Sequence, residues 1–165
     1  MLSQLVPLIL FGIATAFSPG PNNIMISYTT FNFGVRKAIP AMLGVITGWT
    51  LLVIFLQLGS ASVFQRYEFI QVIIKVLGSI YLLYMAYKLS FGGQTKGRKI
   101  DPKPVTFINT FFFQFVNPKS IIVGLTSISL FIDTENNYLR DSIILTILWF
   151  LMAVGSQTSW CLMGK

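Results

Sequence analysis

Apolar residues run along this chain in five long stretches, at residues 2–33, 38–65, 69–87, 105–132 and 142–164. Each is close to or above the length a bilayer-spanning helix requires, about 20 mostly apolar residues. Three of the stretches carry no charge; Lys75 lies in the third and Lys119 in the fourth. The pattern predicts an all-α integral membrane protein, a polytopic helical bundle whose 165 residues form one transmembrane domain. Ala14, Thr15 and Ala16 imitate a signal-peptidase site, but no Lys or Arg precedes the first apolar run. A secretory leader needs such a basic start, so the first helix is predicted to remain in place.

Two of the stretches are interrupted. The first is broken by Pro19, Gly20, Pro21, Asn22 and Asn23, the fourth by Asn117, Pro118 and Lys119. Proline inside a helix removes a backbone hydrogen bond and crowds the carbonyl four residues back. In lipid, carbonyls freed this way are tolerated only where protein or a watery cavity satisfies them. The first and fourth spans cross in opposite directions. Two broken helices at corresponding positions of opposed segments mark an inverted repeat of three helices, with the breaks meeting near the midplane to form a site. Two ordinary proline kinks are the plainer alternative.

Composition supports the membrane class. Hydrophobic residues make up 54% of the chain and charged residues 10%, against about 25% charged in a soluble domain. There is no His and one Cys, so the commonest metal ligand, the usual general base and any internal disulfide are absent. No metal site and no cofactor are expected. The net charge of +7 reflects five acids more than twelve bases. The bases fall in short clusters between apolar runs, which is a topology signal and not a nucleic-acid footprint. Arg36, Lys37, Lys88, Lys96, Arg98, Lys99, Lys103 and Lys165 share one side; the other has Arg66 and Arg140, with Glu68, Asp133, Glu135 and Asp141. The positive-inside rule makes the first side cytoplasmic and puts the N-terminus outside. Residues 90–104 form the only linker-like segment.

A broken helix offers free N–H groups where it restarts, which suit a carboxylate, and free carbonyls where it stops, which suit an ammonium. Asn22, Asn23 and Asn117 add amides. Lys119 sits about 21 Å along a helix from Val105 and from Asp133, deep enough that its charge is functional by default; pairing with helix carbonyls or snorkelling is the plainer alternative. Lys75 lies about two turns from its span's outer end, so its stem reaches the interface. Every acid is expected in a loop. A carrier for cations or a cation channel would bury a carboxylate, whereas a zwitterion needs none. Gly44 and Gly48 form a GxxxG expected to pack against a helix of the same chain, and Cys161 is read as a packing residue.

At these residues the chain resembles the LysE/RhtB family of bacterial amino-acid exporters. The likeness covers Phe17 to Asn22 and the segment Phe111 to Lys119, FFFQFVNPK, and extends over the chain in span order. Gln114 to Asn117, with Trp160, Cys161 and Leu162, look closest to the cysteine and O-acetylserine exporter branch. The resemblance implies efflux driven by the proton gradient, from a bacterial inner membrane, with Pro19, Gly20, Pro21, Asn22, Asn117, Pro118 and Lys119 at the motif positions. With Asn23 and Gln114 these make the predicted substrate-binding set. The partners implied are a small amino acid and the lipid bilayer, with no nucleic acid; a homo-oligomer is compatible with the sequence.

Export of homoserine, threonine or lysine, and a channel-like pore, stay open as alternatives. A membrane enzyme would need a nucleophile with a base, or clustered carboxylates, and the spans supply neither. The family has six helices where this chain shows five. A sixth, completing the second repeat, is expected beyond Lys165.

Overall fold

A computed structural model describes residues 4–60, 103–133 and 137–165, together with Phe69, Ile73 and Val76. Most of the third predicted span, including Lys75, lies outside the described residues. So do residues 90–102 of the linker and the charges at Arg66, Glu68, Lys88, Lys96, Arg98, Lys99 and Glu135.

The described chain is helical and contains no strand: an all-α membrane bundle, as the sequence predicts. Its helices are α1 (Leu5–Phe17), α2 (Pro21–Phe33), α3 (Val35–Phe55), α4 (Phe107–Val116), α5 (Pro118–Phe131) and α6 (Tyr138–Met163). α3, extended by one wide turn, and α6 are each long and apolar enough to cross a membrane. The pairs α1–α2 and α4–α5 meet the same test only as bent pairs, with angles of 50° and 58°.

Both bends follow from proline. A residue before proline is driven out of the helical region into extended backbone. Ser18 precedes Pro19 and has ψ 147°, Gly20 precedes Pro21 and has ψ 170°, and Asn117 precedes Pro118 and has ψ 111°. The helix then restarts on the proline itself, whose missing N–H would have no intrahelical partner at that position. Pro21 opens α2 and Pro118 opens α5.

Two element boundaries differ from the sequence expectation. Gly34 takes φ 81°, a conformation open to glycine, and donates its N–H to Thr30 O at 2.8 Å. One residue therefore joins α2 to α3, and Arg36 and Lys37 sit exposed in the first turn of α3 rather than in a loop. α6 likewise starts early, at Tyr138, so Asp141 lies in its first turn and is fully buried. The expectation that every acid lies in a loop fails there. A carboxylate at a helix N-terminus is favoured by the helix dipole. Asp141 also pairs with Arg140 Nη2 at 3.0 Å and accepts from the Asp133 N–H at 3.4 Å.

Contacts fix the directions. Ala41 and Gly48 of α3 meet Thr110 and Gln114 of α4, and Leu56 meets Gly124 of α5, so α3, α4 and α5 run together. Gly12 meets Met152, Ala16 meets Ser156 and Ser27 meets Trp160, so α1, α2 and α6 run together as well. The rings of Phe11, midway along α1 and before the first break, and Phe131, at the end of α5, lie 6.0 Å apart. The two broken pairs are thus antiparallel, and they cross at their breaks.

Two buried apolar clusters hold the bundle. The larger gathers Leu8 of α1, the second half of α3, α5 and the first half of α6, with Trp149 edge-on to Trp49 at 4.9 Å. The smaller lies towards the opposite end and joins Ile26, Ala38, Ala41, Val45 and Cys161. Gly44 and Gly48 pack inside the chain, as expected. A Cβ on Gly44 would come within 2.3 Å of Phe107 O, and one on Gly48 within 2.6 Å of Phe111 O. Small residues allow that close approach between helices, and the approach sets the depth at which α4 delivers Gln114.

Candidate functional site

α1 ends in the middle of the bundle, so its last carbonyls need partners. Thr15 O accepts from Ser18 Oγ at 2.9 Å. Ala16 O accepts from Asn23 Nδ2 at 3.0 Å and Ser156 Oγ at 2.6 Å. Phe17 O accepts from Trp160 Nε1 at 3.2 Å. Ser18 O accepts from Asn23 Nδ2 at 2.9 Å and from Lys119 Nζ at 3.2 Å. Four consecutive carbonyls are satisfied by side chains. Of the two sources of partners the sequence left open, protein or a watery cavity, protein serves these four, so the free carbonyls expected for a solute are not found at this break.

The second break answers the first. Asn117 stays buried as the link between α4 and α5, and its Oδ1 accepts from the Lys119 N–H at 3.1 Å, capping the restarted helix. Lys119 then reaches across the break. Its Nζ donates to Ser18 Oγ at 2.8 Å as well as to Ser18 O, which places a cation at the negative end of the α1 dipole. Gly20 makes room: a Cβ there would stand 3.0 Å from Lys119 Nζ and 3.3 Å from its Cδ.

Amides complete the crossing. Asn22 Nδ2 donates to Gln114 Oε1 at 2.9 Å and Gln114 Nε2 donates back to Asn22 Oδ1 at 3.0 Å. Gln114 is fully buried, donates also to Thr110 O at 2.8 Å, and accepts from Ser120 Oγ at 3.1 Å. Asn23 Oδ1 accepts from Gln157 Nε2 at 2.9 Å, tying α2 to α6.

These groups surround a cavity of about 70 Å³. One water needs about 10–15 Å³, so there is room for a handful of waters or a solute of a few non-hydrogen atoms. Seven of the nine predicted residues line it: Gly20, Pro21, Asn22, Asn23, Gln114, Asn117 and Lys119. Pro19 and Pro118 do not; they act by bending the backbone. Trp49 and Trp149 close the cavity towards the larger apolar cluster, and Val45 separates it from the smaller one. Among its described lining residues Lys119 is the only charged one and none is acidic.

Sequence reading missed the α6 wall, where Ser156 and Gln157 line the cavity. The signal was present as adjacent polar residues, Ser156, Gln157, Thr158 and Ser159, in an otherwise apolar span. No helix breaker marks the place.

A cavity between two opposed broken helices, near the middle of a helical membrane bundle, defines a transport protein. The LysE type translocator family matches residues 13–163, and the chain belongs to that family. It is similar to the cysteine/O-acetylserine efflux protein of Salmonella paratyphi A, at 33% identity over 93% of this chain and 78% of the relative. The proteins of the same name from Salmonella typhimurium and Escherichia coli strain K12 are 32% and 27% identical, with the same coverage. No solved structure matches the chain.

Proposed function

We propose that this protein is an exporter, not an enzyme, and that it moves small neutral amino acids out of a bacterial cell across the inner membrane. Cysteine and O-acetylserine are its first solutes, the names its relatives carry. The observation that carries the reading is the polarity of the central cavity. One wall presents Lys119 and the starts of α2 and α5, whose early N–H groups lack intrahelical acceptors. That wall suits a carboxylate. The lining holds no carboxylate to select a cation or a metal among its described residues.

In this reading the nine predicted residues are the solute-binding set, and the whole chain acts as one transmembrane domain. The solute's carboxylate takes Lys119 Nζ from Ser18. Release of that tie frees the α1 end from α5, and the two broken pairs rock about the site, which is the usual geometry of alternating access. The N-terminus faces outward, with the base-rich loops inside, and the proton gradient drives efflux. Of the two acids among the described residues Asp141 is the buried one, and it is the candidate for that coupling.

Cells loaded with labelled cysteine, O-acetylserine, threonine and lysine test the proposal. Saturable, stereoselective efflux of the first two, abolished by an uncoupler, is the expected result. Preferential efflux of lysine, or non-saturable flux of all four, would overturn it.

A further inference from the structure

The cavity's side-chain amides can be oriented from the backbone outward. Asn23 contacts two carbonyls, Ala16 O and Ser18 O, so the atom between them is its NH₂ group. Its other atom is then the oxygen, and Gln157 must present Nε2 to it. This leaves Gln157 Oε1 facing away from Asn23. Gln157 is 4% exposed, lines the cavity, and its Oε1 has no hydrogen-bond partner among the described residues.

Every other amide oxygen in the lining is engaged. Asn22 Oδ1 accepts from Gln114, Gln114 Oε1 from Asn22 and Ser120, Asn23 Oδ1 from Gln157, and Asn117 Oδ1 from the Lys119 N–H. Buried acceptors in native structures have partners, and one left without calls for an explanation. A buried acceptor without a partner, on a residue that lines a solute cavity, is explained by a donor that arrives with the solute.

Resting on the export reading above, we propose that Gln157 Oε1 receives the ammonium group of the amino acid. Lys119 and Gln157 then read the two ends of a zwitterion from separate walls, α5 and α6. A neutral oxygen does this at lower desolvation cost than a carboxylate and does not favour a divalent metal. Gln157 thereby discriminates amino acids from the corresponding carboxylic acids, which Lys119 alone would accept.

Inverted membrane vesicles carrying the chain, or its Gln157→Met variant, test this with labelled L-cysteine and its desamino analogue 3-mercaptopropionate as competitor. In the wild type the analogue is expected to compete at least tenfold more weakly than cysteine itself. In Gln157→Met the KM for cysteine rises at least tenfold while the inhibition constant of the analogue moves less than twofold, so the discrimination disappears. Equal loss for both compounds, or retained tenfold discrimination, would overturn the assignment. If Gln157→Met fails to accumulate in the membrane, Gln157→Asn decides: it keeps both amide atoms but draws the oxygen back by one methylene, so the KM for cysteine must rise while the inhibition constant of the analogue stays within twofold, and an unchanged ratio of the two would overturn the assignment. Wild-type vesicles that take up no amino acid in saturable fashion would instead sink the export reading itself.

Discussion

Asn22 and Gln114 form a closed two-bond amide pair, at 2.9 and 3.0 Å, across 92 residues of sequence. One sits in the first turn of α2 and the other in the last turn of α4, so the pair pins the restart of one broken helix to the end of the other. Lys119 and Ser18 make the reciprocal connection, from the start of α5 to the end of α1. The two links exchange roles about the cavity, as a pair of opposed breaks requires.

The amide pair is expected to be energetically coupled. Asn22→Ala leaves the fully buried Gln114 amide with bonds unmade, at a cost of about 1–3 kcal/mol, while Gln114→Ala leaves the half-buried Asn22 amide facing the cavity without its partner. The double variant removes both unmatched groups, so its cost should fall short of the sum by more than the about 0.3–0.5 kcal/mol that separates independent sites. Thermal unfolding of the four proteins in detergent gives the coupling directly. Strict additivity would mean that the two amides are not held against one another.

Lys119→Met keeps the apolar stem and removes the charge. Insertion and expression should be unchanged, because the freed Ser18 O retains its bond from Asn23. Efflux of cysteine should fall to the level of empty cells. Normal flux in this variant would show that the lysine only caps α1 and that the carboxylate binds elsewhere.

Gly20→Ala separates position from charge. Gly20 has φ −167°, an extended conformation that alanine also adopts, so the backbone is not strained by the change. The new methyl would lie 3.0 Å from Lys119 Nζ, and the flexible lysine end must move aside. The expected result is normal expression with efflux reduced at least tenfold. Unaltered efflux would show that Lys119 works equally well away from Ser18.

The breaks were legible in the sequence because proline acts locally: Pro19, Pro21 and Pro118 dictate extended backbone at Ser18, Gly20 and Asn117 whatever surrounds them. The GxxxG of α3 was legible for a similar reason, since Gly44 and Gly48 advertise a close approach. Asp141 was misplaced because the apolar pattern starts at Ser142, whereas burial of Asp141 depends on the contacts it makes with Arg140 and Asp133. Gln157 was invisible for a deeper reason. Its significance rests on which amide atom Asn23 occupies, and Asn23 is oriented by carbonyls freed in another helix. That relation is tertiary throughout.

Gly48→Ala should disrupt the packing of α3 against α4. Its Cβ would meet the backbone oxygen of Phe111 at 2.6 Å and Gln114 Cγ at 2.9 Å, and backbone cannot step aside as a side chain can. Overpacking of this kind costs about 1–3 kcal/mol. A lowered unfolding temperature is expected together with weaker transport, because α4 must carry Gln114 away from Asn22. An unchanged unfolding temperature would show that α3 and α4 are free to separate.

The chain's one cysteine offers a reporter of opening. Cys161 is 2% exposed, lies 3.2 Å from Thr30 Oγ1, and belongs to the smaller apolar cluster with Ile26, Ala38, Ala41 and Val45. That cluster closes one end of the cavity with small side chains, while the other end is closed by two tryptophans and a larger apolar cluster. If the solute path runs through the smaller cluster, α2 and α6 must part there and bring the thiol to water. Alkylation of Cys161 by N-ethylmaleimide should therefore be slow at rest and severalfold faster with O-acetylserine, which has no thiol to consume the reagent. Lys119→Met, unable to exchange Ser18 for a carboxylate, should show the slow rate with or without solute. Mass spectrometry of the labelled peptide follows both rates. Equal labelling in the presence and absence of solute, in a protein that transports it, would place the opening at the tryptophan end instead.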